Sequence, residues 1–376
     1  MKIFITGGAG FIGSALTRKL LTLGHKITVY DNFSPQIHGD ITSLPDDIKD
    51  QVVCIKGDVC DKDLLSKSIT NQEALIHLAA ETGTGQSMYD VSRYERVNIG
   101  GTANLIDILV NTKHEIRTIV LASSRAVYGE GKYTCPVCGF FFPELRDEAK
   151  LHRGEYNPIC PTCSHIGTPI ATDEYSMIHP TSYYGLTKQV QEQKIILFSK
   201  LLKIPSVSLR FQNVYGPGQS LKNPYTGMLA VFSNLARQNK TIEIFEDGKE
   251  SRDFVYIDDV VESIVRSIDL HPNTPQILNI GSGVATTVLD VAHEVCNYFD
   301  SKSEIKITGA YRIGDIRHNF ADISKAKDVL DWSPTVDFPV GLRNFLTWAH
   351  TQEASSGYGN SLAELAEHKL FISTKQ

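Results

Sequence analysis

The segment TGGAGFIG, residues 6–13, limits what this chain can fold into more than any other stretch. It lies between the apolar run KIFIT and the stretch FIGSALTRKLLTLG, whose apolar residues recur at helical spacing. Gly7, Gly10 and Gly13 allow a tight turn from strand to helix and a close backbone approach to a phosphate at the helix N-terminus. The alternation continues through KITVY, QVVCIKGD and EALIHLA, then the helical YERVNIGGTANLIDILVNT and the run RTIVLAS. Continuous apolar strands separated by helices predict an α/β fold built on a doubly wound parallel sheet covered on both faces.

The alternation stops near Gly129 and resumes at the helical stretch TSYYGLTKQVQEQKIILFSKLL and the strand PSVSLR. Residues 130–178 therefore read as an insertion in a nucleotide-binding domain spanning 1–210. Later segments are shorter and more mixed. They predict a smaller substrate-binding lobe over 211–350, with some segments returning to the sheet, and a tail over 351–376 holding one short helix. With 376 residues, both lobes have enough chain to bury a core. A net charge of −6 and the lack of a basic stripe argue against nucleic acid as a partner. No run of about 18 apolar residues occurs, and MKIFITGG leads directly into the first strand, so no membrane contact and a cytoplasmic location are expected.

The second strand ends in VYDN, which puts Asp31 where a carboxylate meets both hydroxyls of an adenosine ribose. That charge repels a 2'-phosphate, so NAD is expected rather than NADP. GDV at 57–59 follows the third strand, where Asp58 either contacts adenine or caps the helix beginning in DVCDKDLL. Tyr184 and Lys188 share one face of a predicted helix. The ammonium and a bound, positively charged nicotinamide are expected to lower the phenol from about 10 toward neutrality, making Tyr184 a general base. Ser124, in SSRAVYG, adds a hydroxyl at the carboxyl end of a strand, where open parallel sheets bind ligands.

Taken together, these pieces resemble the NAD-dependent sugar-nucleotide epimerase/dehydratase family of extended short-chain dehydrogenases/reductases, over nearly the whole chain outside the insertion. The matching segments are TGGAGFIG, GDV, HLAA, VNIGGTANLI, SSRAVYG, YYGLTK, RFQNVYGPGQ, RDFVYIDDV and GDIRHNFADISKA. The resemblance implies a Rossmann-like fold with Tyr184 as base, Lys188 on the nicotinamide ribose and Ser124 on the reacting hydroxyl. It further implies that Phe11, Ile12, Asn32, Asp58, Val59, Leu78, Ala79 and Ala80 join the glycines and Asp31 around NAD, with Asn98 supporting the catalytic region. Thr82 and Arg125 would join Ser124 and Tyr184 at the sugar. Asn213, Arg252 and Arg317 would hold the diphosphate of a dTDP- or UDP-sugar, since arginine forks suit phosphate oxygens. Similar enzymes pair their equivalents of YERVNIGGTANLIDILVNT and YYGLTKQVQEQKIILFSKLL across a two-fold axis, which implies a homodimer.

The shared first step of this family removes the C4 hydroxyl proton while the C4 hydride moves to NAD. Similar 4,6-dehydratases carry an Asp-Glu pair directly after the active-site hydroxyl residue, and here Arg125 and Ala126 stand there. A 3,5-epimerising reductase needs a further acid/base pair, typically Cys and His. His179 has no cysteine in a partner position. A 4-epimerase needs neither addition: the keto sugar turns and takes the hydride back on its other face. A decarboxylase acting on a sugar acid, which also begins with C4 oxidation, is the competing expectation.

The pairs Cys135-x-x-Cys138 and Cys160-x-x-Cys163 enclose 21 residues, a spacing close to that of zinc ribbons. Four thiolates form a closed shell, so a structural rather than catalytic zinc is expected, turning a long active-site loop into a rigid lid or wall. Cys54, Cys60 and Cys296 read as buried, inert thiols. A ribbon at this position, together with AAETGTGQSMY at 79–89, resembles a subgroup assigned as dTDP-L-rhamnose 4-epimerases. A non-catalytic, nucleotide-sensing protein using the ribbon on nucleic acid is the reading from another class. It is opposed by Tyr184 and Lys188, and by the balance of Arg146, Lys150 and Arg153 against Glu144, Asp147, Glu148 and Glu155.

Overall fold

Seven parallel strands form the central sheet of the computed structural model, which describes residues 1–221, 227–353 and 358–373. They are β1 (Lys2–Thr6), β2 (Lys26–Asp31), β3 (Val53–Lys56), β4 (Ala74–His77), β5 (Thr118–Ser124), β6 (Ser206–Phe211) and β7 (Gln276–Ile280). Their spatial order is β7-β6-β5-β4-β1-β2-β3, so the winding reverses between β1 and β4, where a doubly wound sheet opens a crevice at its carboxyl ends. Thr6 pairs with Tyr30 and His77, and Ser124 with Phe211, which brings these ends level.

Alternation along β1 explains the two layers. Ile3 and Ile5 pack with Leu16 and Leu20 of the helix Phe11–Thr22, whereas Phe4 packs with Leu105 and Ile195 from the helices Gly101–Asn111 and Tyr183–Leu202. Each such side chain, fully buried, contributes about 1.5–3 kcal/mol.

Two elements differ from the sequence reading. The run VVCIK was expected to be a covered strand, but β3 pairs only with β2, so as an edge strand it leaves Val53 59% exposed and Cys54 exposed. Of the three remaining thiols, only Cys296 is buried, and Cys60 is intermediate. The stretch expected as a single helix is a short helix Val91–Tyr94, a π-helical turn Glu95–Gly100 and the helix Gly101–Asn111. The wider turn breaks the 3.6-residue register at Asn98, which is fully buried. Its amide accepts from Glu81 N at 2.8 Å and donates to Glu81 O at 3.1 Å and Thr187 Oγ1 at 2.9 Å.

The insertion folds as a three-stranded antiparallel sheet in which Lys132–Cys135 lies between Gly139–Phe141 and Thr168–Ile170. Its core is small: Tyr133, Phe141, Cys135 and Cys160. The second half of the chain supplies β7 and a lobe with the helices Met228–Arg237, Val288–Phe299 and Phe338–His350. In the tail, the helix Tyr358–Glu367 leads to Phe371–Ile372, which pairs antiparallel with Tyr311–Arg312. Leu365 is buried beside Gly85, and Tyr89 stacks on His368 at 4.3 Å. Among the described residues, no helix is long and apolar enough to cross a membrane.

Candidate active site

At the first turn, Gly7 has φ +71°, and a Cβ there would lie 2.6 Å from Ala79 N, so only glycine fits between the two strand ends. Above the turn opens a chamber of about 380 Å³ lined by Gly7, Gly10, Gly13, Phe11, Ile12, Asp31, Asn32, Val59 and the run Leu78–Ala80. The Asp31 carboxylate accepts from Ala9 N at 3.0 Å and Phe33 N at 2.9 Å, which fixes it at the end of β2. The glycine cradle and this carboxylate fit an adenine dinucleotide. Asp58 does not line the chamber. It accepts from Cys60 N at 2.9 Å and from Asn32 Nδ2 at 3.2 Å, so it orients Asn32; the helix is capped three residues later by Asp61, which accepts from Leu64 N at 3.1 Å. Asn98 is likewise behind the chamber, tying the backbone of Glu81 to Thr187.

The catalytic helix Tyr183–Leu202 starts at Ser182, whose hydroxyl accepts from Gly185 N at 3.1 Å. A Cβ on Gly185 would lie 2.4 Å from Ala126 O, so glycine lets the helix start press against the turn Arg125–Tyr128. Ser124 caps that turn by accepting from Ala126 N at 3.2 Å. One turn along the helix, the buried Lys188 donates to Ala122 O at 2.9 Å, with its ammonium 5.9 Å from the centre of the Tyr184 ring. Glu192 follows on the same face and forms a two-point ion pair with Arg210 of β6, at 2.7 and 2.8 Å, which registers the helix against the sheet.

Burial pushes Lys188 down to about 7. It also pushes Tyr184 up, opposed by a hydrogen bond to Ser124 and by the Arg125 guanidinium. The expected drop of the phenol toward neutrality under the influence of lysine therefore does not appear in the protein alone. The confinement that brings the two groups together outweighs the charge, and the cation that opposes the rise is Arg125.

A second chamber, of about 360 Å³, shares Thr82, Ser124 and Tyr184 with the first and is also lined by Arg125, Asn213 and Arg252. Arg317 is not among its lining residues. It is 1% exposed, and its guanidinium pairs with Glu246 at 2.9 Å and Asp247 at 2.7 Å. Arg312 takes that place, with Asp315 and Glu250 beside it. The segment YRIGDIR holds both arginines, and spacing alone does not tell which faces the chamber. Burial, then the charge of Glu246, push Glu250 up to about 7. His179 lines neither chamber.

The sulfurs of Cys135, Cys138, Cys160 and Cys163 all lie within 4.8 Å of one another, and those of Cys135 and Cys163 are 3.4 Å apart. Zinc–sulfur bonds of about 2.3 Å in a tetrahedron set sulfurs about 3.8 Å apart, so the donor set fits zinc. A hydrogen bond with Cys163, then burial and a hydrogen bond with Cys160, push Cys138 up to about 12. No residue of 130–178 lines either chamber, which corrects the expected lid or wall: the ribbon stands behind the site.

A glycine cradle at the switch point, opening through a Ser-Tyr-Lys cluster into a second chamber, defines an enzyme of the extended short-chain dehydrogenase/reductase class. The model of the NAD dependent epimerase/dehydratase family matches residues 3–148 and 159–281, and the chain belongs to that family. The interruption in the match falls inside the insertion. The chain is 40% identical over 349 residues to a dTDP-L-rhamnose 4-epimerase of Burkholderia thailandensis, covering 92% of this chain and 94% of that protein. It superimposes on the UDP-glucose 4-epimerase of Thermotoga maritima, solved with UDP-glucose, with a TM-score of 0.76 and 26% identity over 93% of this chain and 99% of that one. MoeE5, solved in complex with UDP-glucose and NAD, gives a TM-score of 0.74 at 26% identity with the same coverage.

Proposed function

We propose that this chain is an NAD-dependent nucleotide-sugar 4-epimerase that interconverts dTDP-L-rhamnose and dTDP-6-deoxy-L-talose. The observation that carries the reading is the meeting of the cofactor-side and sugar-side chambers at Ser124 and Tyr184. The 40% identity with the Burkholderia enzyme supports the choice of sugar and base. The glycine cradle and Asp31 would hold NAD, which would supply a reversible acceptor for the C4 hydride. Tyr184 accepts the C4 hydroxyl proton and later returns it, while Ser124 hydrogen-bonds the same oxygen. Lys188, anchored on Ala122 O, reaches the ribose on the cofactor side. Arg252 and Arg312, which line the second chamber, hold the diphosphate. The residues after Ser124 are Arg125 and Ala126, so no carboxyl pair stands there to take a C5 proton and expel a leaving group at C6.

Cys135, Cys138, Cys160 and Cys163 bind a structural zinc with no open position for chemistry. The exposed Leu186, Leu197 and Leu201 on the catalytic helix support pairing with a second copy. Seven unpaired thiols suit the cytoplasm.

The proposal is tested by incubating the purified protein, without added NAD, with a panel of dTDP- and UDP-sugars and following each by proton NMR. Conversion of dTDP-L-rhamnose to its C4 epimer is expected. A stable 4-keto product or release of carbon dioxide would overturn the assignment.

A further inference from the structure

We infer that the inserted ribbon is a brace for the substrate chamber and that Arg146 is its positioning residue, holding in place the segment 312–317 that carries Arg312 and Asp315 into the chamber. The inference rests on reading that chamber as the nucleotide-sugar site.

Arg146 lies between the ribbon strand Gly139–Phe141 and the short helix Glu148–His152, and its side chain is only 6% exposed. Nη2 donates to Asp315 O at 2.8 Å, Nη1 donates to Glu246 Oε2 at 2.9 Å, and Nε pairs with Glu130 Oε1 at 3.0 Å. The other oxygen of Glu130 accepts from Arg317 N at 2.7 Å. From the lobe side, Arg252 donates to Ile316 O at 2.8 Å and Arg317 O at 3.1 Å. Three consecutive carbonyls, those of 315, 316 and 317, thus accept from guanidinium groups, one supplied by the ribbon and one by the chamber wall. Asp315 passes the constraint on, because its carboxylate accepts from Arg312 Nε at 2.8 Å.

A second contact runs in parallel. Arg317 donates to Asn157 Oδ1 at 3.1 Å, and its guanidinium lies 5.6 Å from the centre of the Tyr156 ring. Buried ion pairs hold only when every partner is present, because loss of one leaves the others charged and dry. Removing Arg146 would leave Glu130 and Glu246, 1% and 3% exposed, without that partner and would free the Asp315 carbonyl. A segment released in this way must be ordered again each time a nucleotide sugar binds, which weakens binding without altering the groups that perform proton transfer.

The test uses the full chain with its metal and compares Arg146→Gln and Arg146→Lys with the unaltered protein. dTDP binding is measured by calorimetry, KM and kcat are measured for the sugar, and amide exchange is followed along the chain. For Arg146→Gln, dTDP binding and KM are expected to weaken by about tenfold, the scale of one lost charge-assisted hydrogen bond. Little change in kcat is expected, with exchange accelerated over 313–318 and unchanged in β1 and β4. Arg146→Lys keeps the charge beside Glu246 but not the fork, and should recover part of the affinity; it carries the comparison alone if the glutamine variant does not fold. Unchanged dTDP affinity, or a loss shared equally by β1 and β4, would overturn the inference. Failure of the unaltered protein to bind dTDP or UDP would overturn the reading of the chamber and this inference with it.

Discussion

Tyr184 and Lys188 share one helical face, yet each is shaped more by burial than by the other. Burial raises the phenol and lowers the ammonium to about 7, so the protein alone holds the pair in a state of reduced charge. Tyr184→Phe should reduce turnover by about 10²–10⁴-fold while leaving the fold and bound NAD intact, as measured by NMR turnover and released nucleotide. Retention of near-normal turnover would remove Tyr184 from its role. At the end of β4, His77 sits buried between Thr6 Oγ1 at 2.7 Å and Thr102 Oγ1 at 3.0 Å. Burial, then the charge of Lys188, push it down to about 3. The unfolded chain takes up this proton below about 6.5, whereas the folded chain resists until about 3. Its contribution is therefore complete above the upper limit and is lost as pH falls through that window, at about 1.4 kcal/mol per pH unit. Thermal melts of His77→Asn should fall less steeply over this range than those of the unaltered protein, and parallel curves would contradict the assignment. At this scale the sequence announces residue types better than directions: Asp58 and Arg317 stand in the right motifs but turn away from the chambers, while Arg312 turns in.

Among the elements, those with strong periodicity were legible and those defined by contact were not. The strand, glycine turn and helix of residues 2–22 follow directly from spacing. The π-helical turn at Glu95–Gly100 leaves no mark in hydrophobic pattern, because it is fixed by the three hydrogen bonds of Asn98 to distant partners. Nor does the tail reveal that its final strand will pair with Tyr311–Arg312. The cysteine spacing located the ribbon, but not that it lines neither chamber. With a core of only Tyr133, Phe141, Cys135 and Cys160, the ribbon is expected to depend on the zinc proposed at its four cysteines. Chelation should release one zinc per chain and open residues 133–167 to protease, read by mass spectrometry of the fragments. An insertion that stays resistant after metal loss would show that the sulfur cluster does not hold it.

Over the whole molecule, the parallel sheet covered on both faces follows from the alternation of strands and helices, and the cofactor chamber from its glycines; the strand order is set by packing. The second chamber was only partly legible: Thr82, Arg125 and Asn213 were expected there, whereas Gln212, Glu250 and Arg312 come from segments that packing alone brings together. Leu197 and Leu201 are 62% and 66% exposed on the helix that carries the catalytic pair. Light scattering should therefore report twice the chain mass, falling to one chain in Leu197→Glu with Leu201→Glu, and a monomeric unaltered protein would contradict the pairing. The central claim is that the C4 hydrogen leaves and returns within one active site while Tyr184 carries only the hydroxyl proton. It is tested most directly by running the conversion of dTDP-L-rhamnose in heavy water and reading the product by NMR. The account predicts a C4 epimer with no deuterium on any ring carbon and no net change in NAD. Deuterium at C3, C4 or C5, or stoichiometric formation of reduced cofactor, would contradict it.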